Sequence, residues 1–137
     1  MKQIFLITSA LVLSLAIMAQ PKKDDKVKFN TDIHDFGKIK QGTPVTYFFE
    51  ILNTSKQPIV VENASASCGC TVPEKPEKPI NPGETGKLKV QYNAATVGPF
   101  KKDIFIKLAG IEQPKTVQIT GEVMANENTD AKKASNK

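Results

Sequence analysis

The chain has 137 residues, a net charge of +5 at pH 7, nineteen lysines with no arginine, fourteen acids and two cysteines. That length holds one domain with a real hydrophobic core and excludes two comfortable ones. The lysines are scattered and often sit beside an acid, as in Glu74-Lys75 and Glu77-Lys78, which describes a solvated surface. Readers of nucleic acid usually lean on arginine for bidentate contacts, which this chain lacks, and the export expected below also argues against nucleic acid as a partner.

Residues 1–19 read as a signal peptide. Lys2 supplies the positive start, Ile4 to Met18 is apolar apart from Thr8, Ser9 and Ser14, and Ala19 offers a cleavage point before Gln20. The run is too short and too early for a membrane span, and the charged stretch Lys22 to Lys28 follows at once. No cysteine lies at the cleavage point, which argues against a lipid anchor. The mature chain is expected in the periplasm or outside the cell, with no transmembrane span, where disulfides persist. Residues 20–26 form a flexible lead, 27–124 the domain, and 125–137 a tail so poor in apolar residues that disorder is expected.

Between these ends, short apolar runs alternate with turn signals and no helical period emerges. Val27-Lys28-Phe29 begins a strand. Asp32 to Gly37 is expected to bend or switch sheets, with Ile33, Phe36 and Ile39 as buried anchors, and Gln41-Gly42-Thr43-Pro44 turns the chain. In Val45 to Asn53, Tyr47, Phe49 and Ile51 share one face while Thr46, Phe48, Glu50 and Leu52 share the other. A turn at Asn53 to Pro58 leads to the β-branched strand Ile59-Val60-Val61-Glu62. Four prolines, Pro73, Pro76, Pro79 and Pro82, then remove backbone donors, so 73–83 is expected as a stiff surface loop rather than a central strand, closed by a turn at Asn81-Pro82-Gly83.

Beyond it the alternation is cleaner. Leu88, Val90 and Tyr92 point one way against Lys87, Lys89 and Gln91; Ile104, Ile106 and Leu108 alternate with Asp103, Phe105 and Lys107; Val117, Ile119 and Val123 close the series. The tally of about seven short strands, with turn signals every eight to twelve residues, predicts an all-β, immunoglobulin-like sandwich of antiparallel strands. Antibody domains add a tryptophan and two distant cysteines; this chain has no Trp and its cysteines are two residues apart, so aliphatic and Phe packing must hold the sheets.

With the strands placed, an ordered set of motifs becomes visible: Asp35-Phe36-Gly37-Lys38-Ile39-Lys40-Gln41-Gly42, Phe49-Glu50-Ile51-Leu52-Asn53-Thr54, Pro58-Ile59-Val60-Val61, Ala66-Ser67-Cys68-Gly69-Cys70-Thr71, Ile80-Asn81-Pro82-Gly83-Glu84, Gly98-Pro99-Phe100 and Ile119-Thr120-Gly121-Glu122-Val123. This set resembles the bacterial domain of unknown function 1573 family over Val27 to about Val123. The resemblance implies an exported bacterial protein with an immunoglobulin-like sandwich related to Hydin-type and major-sperm-protein-like modules. It brings no established activity, since one sandwich hosts many roles.

Reactive side chains cluster at one place, Cys68-Gly69-Cys70. Residues two apart on a regular strand lie on one face with Cα atoms about 6.6 Å apart, at the edge of disulfide reach, so a bridge needs a kink that Gly69 is expected to permit. So small a loop gains little chain entropy, roughly 1.5–2 kcal/mol. Three readings stand open: a structural pair shaping a bend, a thiol–disulfide couple at Cys68 and Cys70 served by the nearby cations Lys75 and Lys78, and a soft-metal site in which His34 joins the two thiolates. His34, the one histidine, lies between Asp32 and Asp35 and is expected at the surface; no nucleophile is paired with it in sequence. The carboxylates are dispersed, and no glycine loop cradles phosphate. Asn53-Thr54-Ser55 and Asn63-Ala64-Ser65 match the glycosylation sequon, though Asn53 reads better as a turn residue bonding its own backbone.

The expectation is therefore an exported, non-catalytic module without a cofactor that binds another exported or envelope protein. Its contact surface is expected at Cys68, Gly69, Cys70 and Thr71 together with Pro73, Pro76, Pro79 and Pro82. The rival from another class is thiol–disulfide exchange or soft-metal binding at the same bend.

Overall fold

The computed structural model describes residues 26–126; the expected signal peptide, most of the lead and residues 127–137 of the tail lie outside that range. Eight strands follow one another: β1 (Val27–Phe29), β2 (Ile33–Lys40), β3 (Val45–Asn53), β4 (Val61–Ala66), β5 (Thr71–Glu74), β6 (Thr85–Tyr92), β7 (Gly98–Leu108) and β8 (Lys115–Met124). They form two four-stranded sheets, β1-β3-β6-β5 and β2-β8-β7-β4. The immunoglobulin-like sandwich that the strand spacing implies is the fold found.

The alternation assigned in the sequence decides which side chains fill the sandwich. Phe49 and Ile51 of β3, Leu88 and Val90 of β6, Ile104 and Ile106 of β7, and Val117 and Ile119 of β8 are all 0% exposed. Their alternating partners Phe48, Lys87, Phe105 and Thr116 face outward. β-branched and aromatic residues at every second position suit a pleated, half-buried surface, and burying each aliphatic side chain stabilises by about 1.5–3 kcal/mol before chain entropy is offset. Tyr92 stacks on Phe100 with ring centroids 4.1 Å apart, closing one end of the core.

Three features depart from the sequence expectation. The eight strands among the described residues are close to the expected seven, but one pair is parallel: β2 lies beside β8 in the same direction, Ile33 opposite Gln118 and Lys40 opposite Met124. The chain leaves β1 in one sheet and enters β2 in the other after Asn30–Asp32, so the switch falls earlier than the Asp32–Gly37 stretch. That placement sets the register of β2. Ile33 faces outward and is 54% exposed, while His34, Phe36 and Ile39 turn inward, so Ile33 is no buried anchor. Because side chains alternate, a one-residue difference in where a strand begins exchanges its inner and outer sets.

The second departure is β5, which runs through Pro73 inside the stretch expected as loop. It pairs with β6, Thr71 opposite Tyr92 and Glu74 opposite Lys89, and occupies the edge of its sheet, where a residue lacking an N–H is tolerated. The third is a bulge in β2 between Asp35 and Lys38, with Gly37 in the left-handed region (φ 65°). Opposite it, a Cβ on Gly121 would lie 2.8 Å from the Phe100 ring and 2.9 Å from the Gly37 carbonyl oxygen. Gly121 is thus the position where β8 lets the bulged strand and an aromatic ring close in.

Candidate functional site

β4 ends one sheet and β5 ends the other, and the chain crosses between them through Ser67-Cys68-Gly69-Cys70. The cysteine bend is therefore the crossover at one side of the sandwich. Its two ends are held by main-chain bonds. The Ser67 N–H donates to the Asp103 carbonyl (2.9 Å), and the Asp103 N–H donates to Ser67 Oγ (3.2 Å). Beyond the bend the Asn93 N–H donates to the Cys70 carbonyl (3.0 Å), and the Thr71 N–H donates to the Cys68 carbonyl (3.3 Å). Asp103 is itself fixed, its carboxylate accepting from Gln118 Nε2 at 2.6 Å.

Between these anchors Cys68 and Cys70 form a disulfide with Cα atoms 5.3 Å apart. That separation is well inside the range disulfides use and shorter than a regular strand allows. The contraction comes without the glycine device expected for it. Gly69 is not among the glycines with positive φ, and a Cβ there would meet nothing within 4 Å.

Thr71 is the buried member of the group, 3% exposed, while both cysteines are half-buried and Gly69 is exposed. Its hydroxyl stands 3.9 Å from Cys68 Sγ and 3.8 Å from Cys70 Sγ. No hydrogen bond or ion pair among the described residues joins Lys75 or Lys78 to the sulfurs; the polar group that reaches them is this hydroxyl.

The proline segment that follows is fastened down. Pro76 packs beside Gly86, its Cγ 3.5 Å from where a Cβ on that glycine would stand, and Ile80 covers the same glycine closely. Ile80 is buried and exchanges two backbone hydrogen bonds with Ile59, at 2.9 and 2.8 Å. The turn expected at Asn81-Pro82-Gly83 is present: the Glu84 N–H donates to the Asn81 carbonyl (2.9 Å), and Gly83 takes φ 76°. Of the residues expected in a contact surface, Gly69, Pro79 and Pro82 are exposed, Cys68, Cys70, Pro73 and Pro76 are half-buried, and Thr71 is inside. Val72, 52% exposed, joins them.

His34 does not join the cysteines. It sits on β2, at the edge of its sheet opposite β4, and its ring stacks on Tyr47 with centroids 3.5 Å apart and meets Phe36 edge-on at 4.7 Å. Burial lowers its pKa, against an opposing pull from the Asp35 carboxylate. The histidine read as a surface residue is thus half-buried in an aromatic cluster that seals the inter-sheet edge. No group of three or more His, Cys, Asp and Glu among the described residues could hold a metal ion. The soft-metal arrangement of Cys68, Cys70 and His34 is not assembled.

With the geometry in hand, comparison with known proteins places the chain. A family described as a protein of unknown function, DUF1573, matches residues 27–123. The chain belongs to this family. No curated protein matches the sequence. Among solved structures, this DUF1573 chain resembles a protein of unknown function from Porphyromonas gingivalis W83 (TM-score 0.60, 14% identity, 70% of this chain and 46% of that one). It also resembles the ASH/PapD-like domain 7 of human CEP192 (TM-score 0.63, 10% identity, 74% and 87%). A third likeness is to the VesB protease of Vibrio cholerae (TM-score 0.59, 14% identity, 72% and 32%). The chain spans less than half the length of the first and third of these. At such identities the likeness is one of fold, an immunoglobulin-like and PapD-like sandwich. No helix among the described residues is long and apolar enough to cross a membrane.

One residue that organises this side of the DUF1573 domain, Asn53, does more than its local sequence implies. Asn53 does bond its own turn, its Oδ1 accepting from the Ser55 N–H (2.8 Å) and Ser55 Oγ (2.7 Å). Its Nδ2 also donates to the carbonyls of Gln57 (2.7 Å) and Ile80 (2.8 Å), and the residue is 0% exposed. It therefore ties the β3–β4 turn to the end of the proline segment. A sequon-like Asn-Thr-Ser carries no sign of a partner 27 residues away.

Proposed function

We propose that this DUF1573 chain is an exported, non-catalytic immunoglobulin-like module that works by binding another exported or envelope protein through the cysteine bend and the proline segment. The observation that carries the reading is the stiffness of an exposed surface at a sheet edge. Gly69, Val72, Pro79 and Pro82 stand outward, while Thr71, Pro76, Ile80 and Asn53 hold the backbone beneath them. A surface ordered before binding loses little conformational freedom when a partner docks, which favours affinity per unit of area. The edge strand β5 is four residues long and contains Pro73, so it makes a poor template for strand addition. Recognition here uses side chains and loop shape. The sandwich supplies a scaffold, and its loops carry the specificity. Export is supported by the leader-like first nineteen residues and by a disulfide, which persists in oxidising compartments.

The test is site-specific photocrosslinking in the producing cell. A photoreactive residue at Gly69, Val72 or Pro79 is expected to trap one recurring partner, while the same residue at Lys28 or Lys38, on the opposite edge strands, does not. Crosslinks that arise only from the opposite edge, or from neither, would overturn the reading.

A further inference from the structure

From the same bend we infer that Cys68 and Cys70 form an exchangeable dithiol–disulfide site, with the Thr71 hydroxyl as hydrogen-bond donor to the departing sulfur and cysteine thiols of other exported proteins as its stoichiometric, non-catalytic reaction partner. This inference is independent of the contact reading, because it needs the sulfurs and Thr71 rather than the outer surface of the loop.

Three observations carry it. The first is accessibility combined with independence from the fold: both cysteines are half-buried at a crossover flanked by exposed Gly69, and main-chain bonds from Asp103, Asn93 and Thr71 hold the bend on both sides. The Cα separation of 5.3 Å is thereby fixed by the backbone, so opening the bond leaves the two thiols facing each other, ready to close again. The second is the ring itself. A separation of two residues closes so short a loop that the bond gains little from chain entropy, and such a bond yields readily to an attacking thiol. The third is Thr71. A buried hydroxyl whose side-chain polar contacts are both to sulfur, 3.9 Å from one and 3.8 Å from the other, can serve whichever of the two leaves.

The steps balance as follows. A thiolate of the reaction partner attacks one sulfur of the pair, the Cys68–Cys70 bond breaks, and the second sulfur departs as a thiolate that accepts the Thr71 O–H and then a proton from water. A second thiolate of the reaction partner attacks that partner's sulfur in the mixed disulfide and releases the remaining cysteine. The reaction partner loses two electrons and gains a disulfide; Cys68 and Cys70 gain two electrons and two protons. The chain contains no third cysteine, so the second thiol must come from the reaction partner or from another thiol in solution.

The experiment treats the full chain, under native conditions, with excess dithiothreitol, with glutathione, and with a synthetic extended peptide carrying two cysteines. Acid quenching, alkylation and mass measurement count the thiols over time. Reduction of the native protein is expected, with circular dichroism unchanged and one peptide disulfide formed per dithiol produced. Thr71→Val, which keeps the shape and removes the hydroxyl, is expected to slow the opening about threefold to tenfold, and Thr71→Ser to recover it. A bond that opens only when urea unfolds the wild-type sandwich overturns the inference, and that arm decides even if Thr71→Val does not fold. A Thr71→Val protein that folds and exchanges at the wild-type rate removes Thr71 from it.

Discussion

Replacing Asn53 by Ala tests whether one buried amide ties the β3–β4 turn to the proline segment. Its four side-chain hydrogen bonds, to Ser55 N, Ser55 Oγ, the Gln57 carbonyl and the Ile80 carbonyl, use the full capacity of a primary amide. At about 1 kcal/mol net for each bond, the ceiling is about 4 kcal/mol. The partners moderate that figure. Ser55 is half-buried and Gln57 exposed, so water can replace the amide there, whereas the Ile80 carbonyl is buried but keeps the Ile59 N–H at 2.9 Å. A loss of about 3 kcal/mol is expected, which lowers the melting temperature of a domain of this size by more than about 10 °C. Urea unfolding followed by circular dichroism measures it. Asn53→Asp adds a second arm. It keeps the acceptor but sets a carboxylate against two carbonyl oxygens, so its deficit should shrink as the pH falls and the carboxyl protonates. A loss below about 0.5 kcal/mol for Asn53→Ala, the level of an ordinary surface change, would refute the role assigned to this residue.

Other outcomes follow from the same contacts. His34 is harder to protonate in the folded state than in the unfolded chain, so its contribution is intact above about pH 6.5 and declines as the pH falls from there to its lowered folded value. Melting temperatures of wild type and His34→Phe between pH 8 and pH 5 should therefore diverge, the variant losing less; parallel curves would contradict the stacked, neutral imidazole. The double substitution Cys68→Ala with Cys70→Ala should cost no more than about 1.6 kcal/mol in urea unfolding, the entropy of so short a loop, with circular dichroism unchanged. A collapse of the fold would mean that the disulfide, rather than the flanking main-chain bonds, holds the crossover.

The sandwich was legible because its central strands obey one rule. Through the middle of β3, β6, β7 and β8 the residues at every second position are aliphatic or aromatic, and Phe49, Leu88, Ile106 and Ile119 lie where that rule puts them. The edges were not legible, for a reason rooted in the same physics. β2 and β5 are each paired on one side alone, so their residues answer to only one neighbouring strand. Ile33 could face outward and His34 inward because the register of β2 is set by its parallel pairing with β8, which leaves no local trace, and by the bulge at Gly37, which the sequence signals only as an unspecified bend. Asn53 shows the same limit: its turn was readable from residues two positions away, its hold on Ile80 was not.

At the site, the cysteines announced themselves and the geometry that brings them together did not. Gly69 looked indispensable, since a glycine between two cysteines suggests a backbone conformation other residues avoid. The structure reaches its 5.3 Å separation without one, and the pull comes instead from the two sheets, which draw Ser67 onto Asp103 and Cys70 onto Asn93. Gly69→Ala should therefore fold, keep its disulfide and change stability by less than about 0.5 kcal/mol, because its Cβ meets nothing within 4 Å. Gly121→Ala is the contrasting substitution. Its Cβ would lie 2.8 Å from the Phe100 ring and 2.9 Å from a backbone oxygen of the bulge, and overpacking of that kind costs about 1–3 kcal/mol. Unfolding curves and thiol counts for the two proteins separate the explanations: a Gly69→Ala chain with free thiols would return the bend to its glycine, whereas an intact bridge leaves it to the sheets.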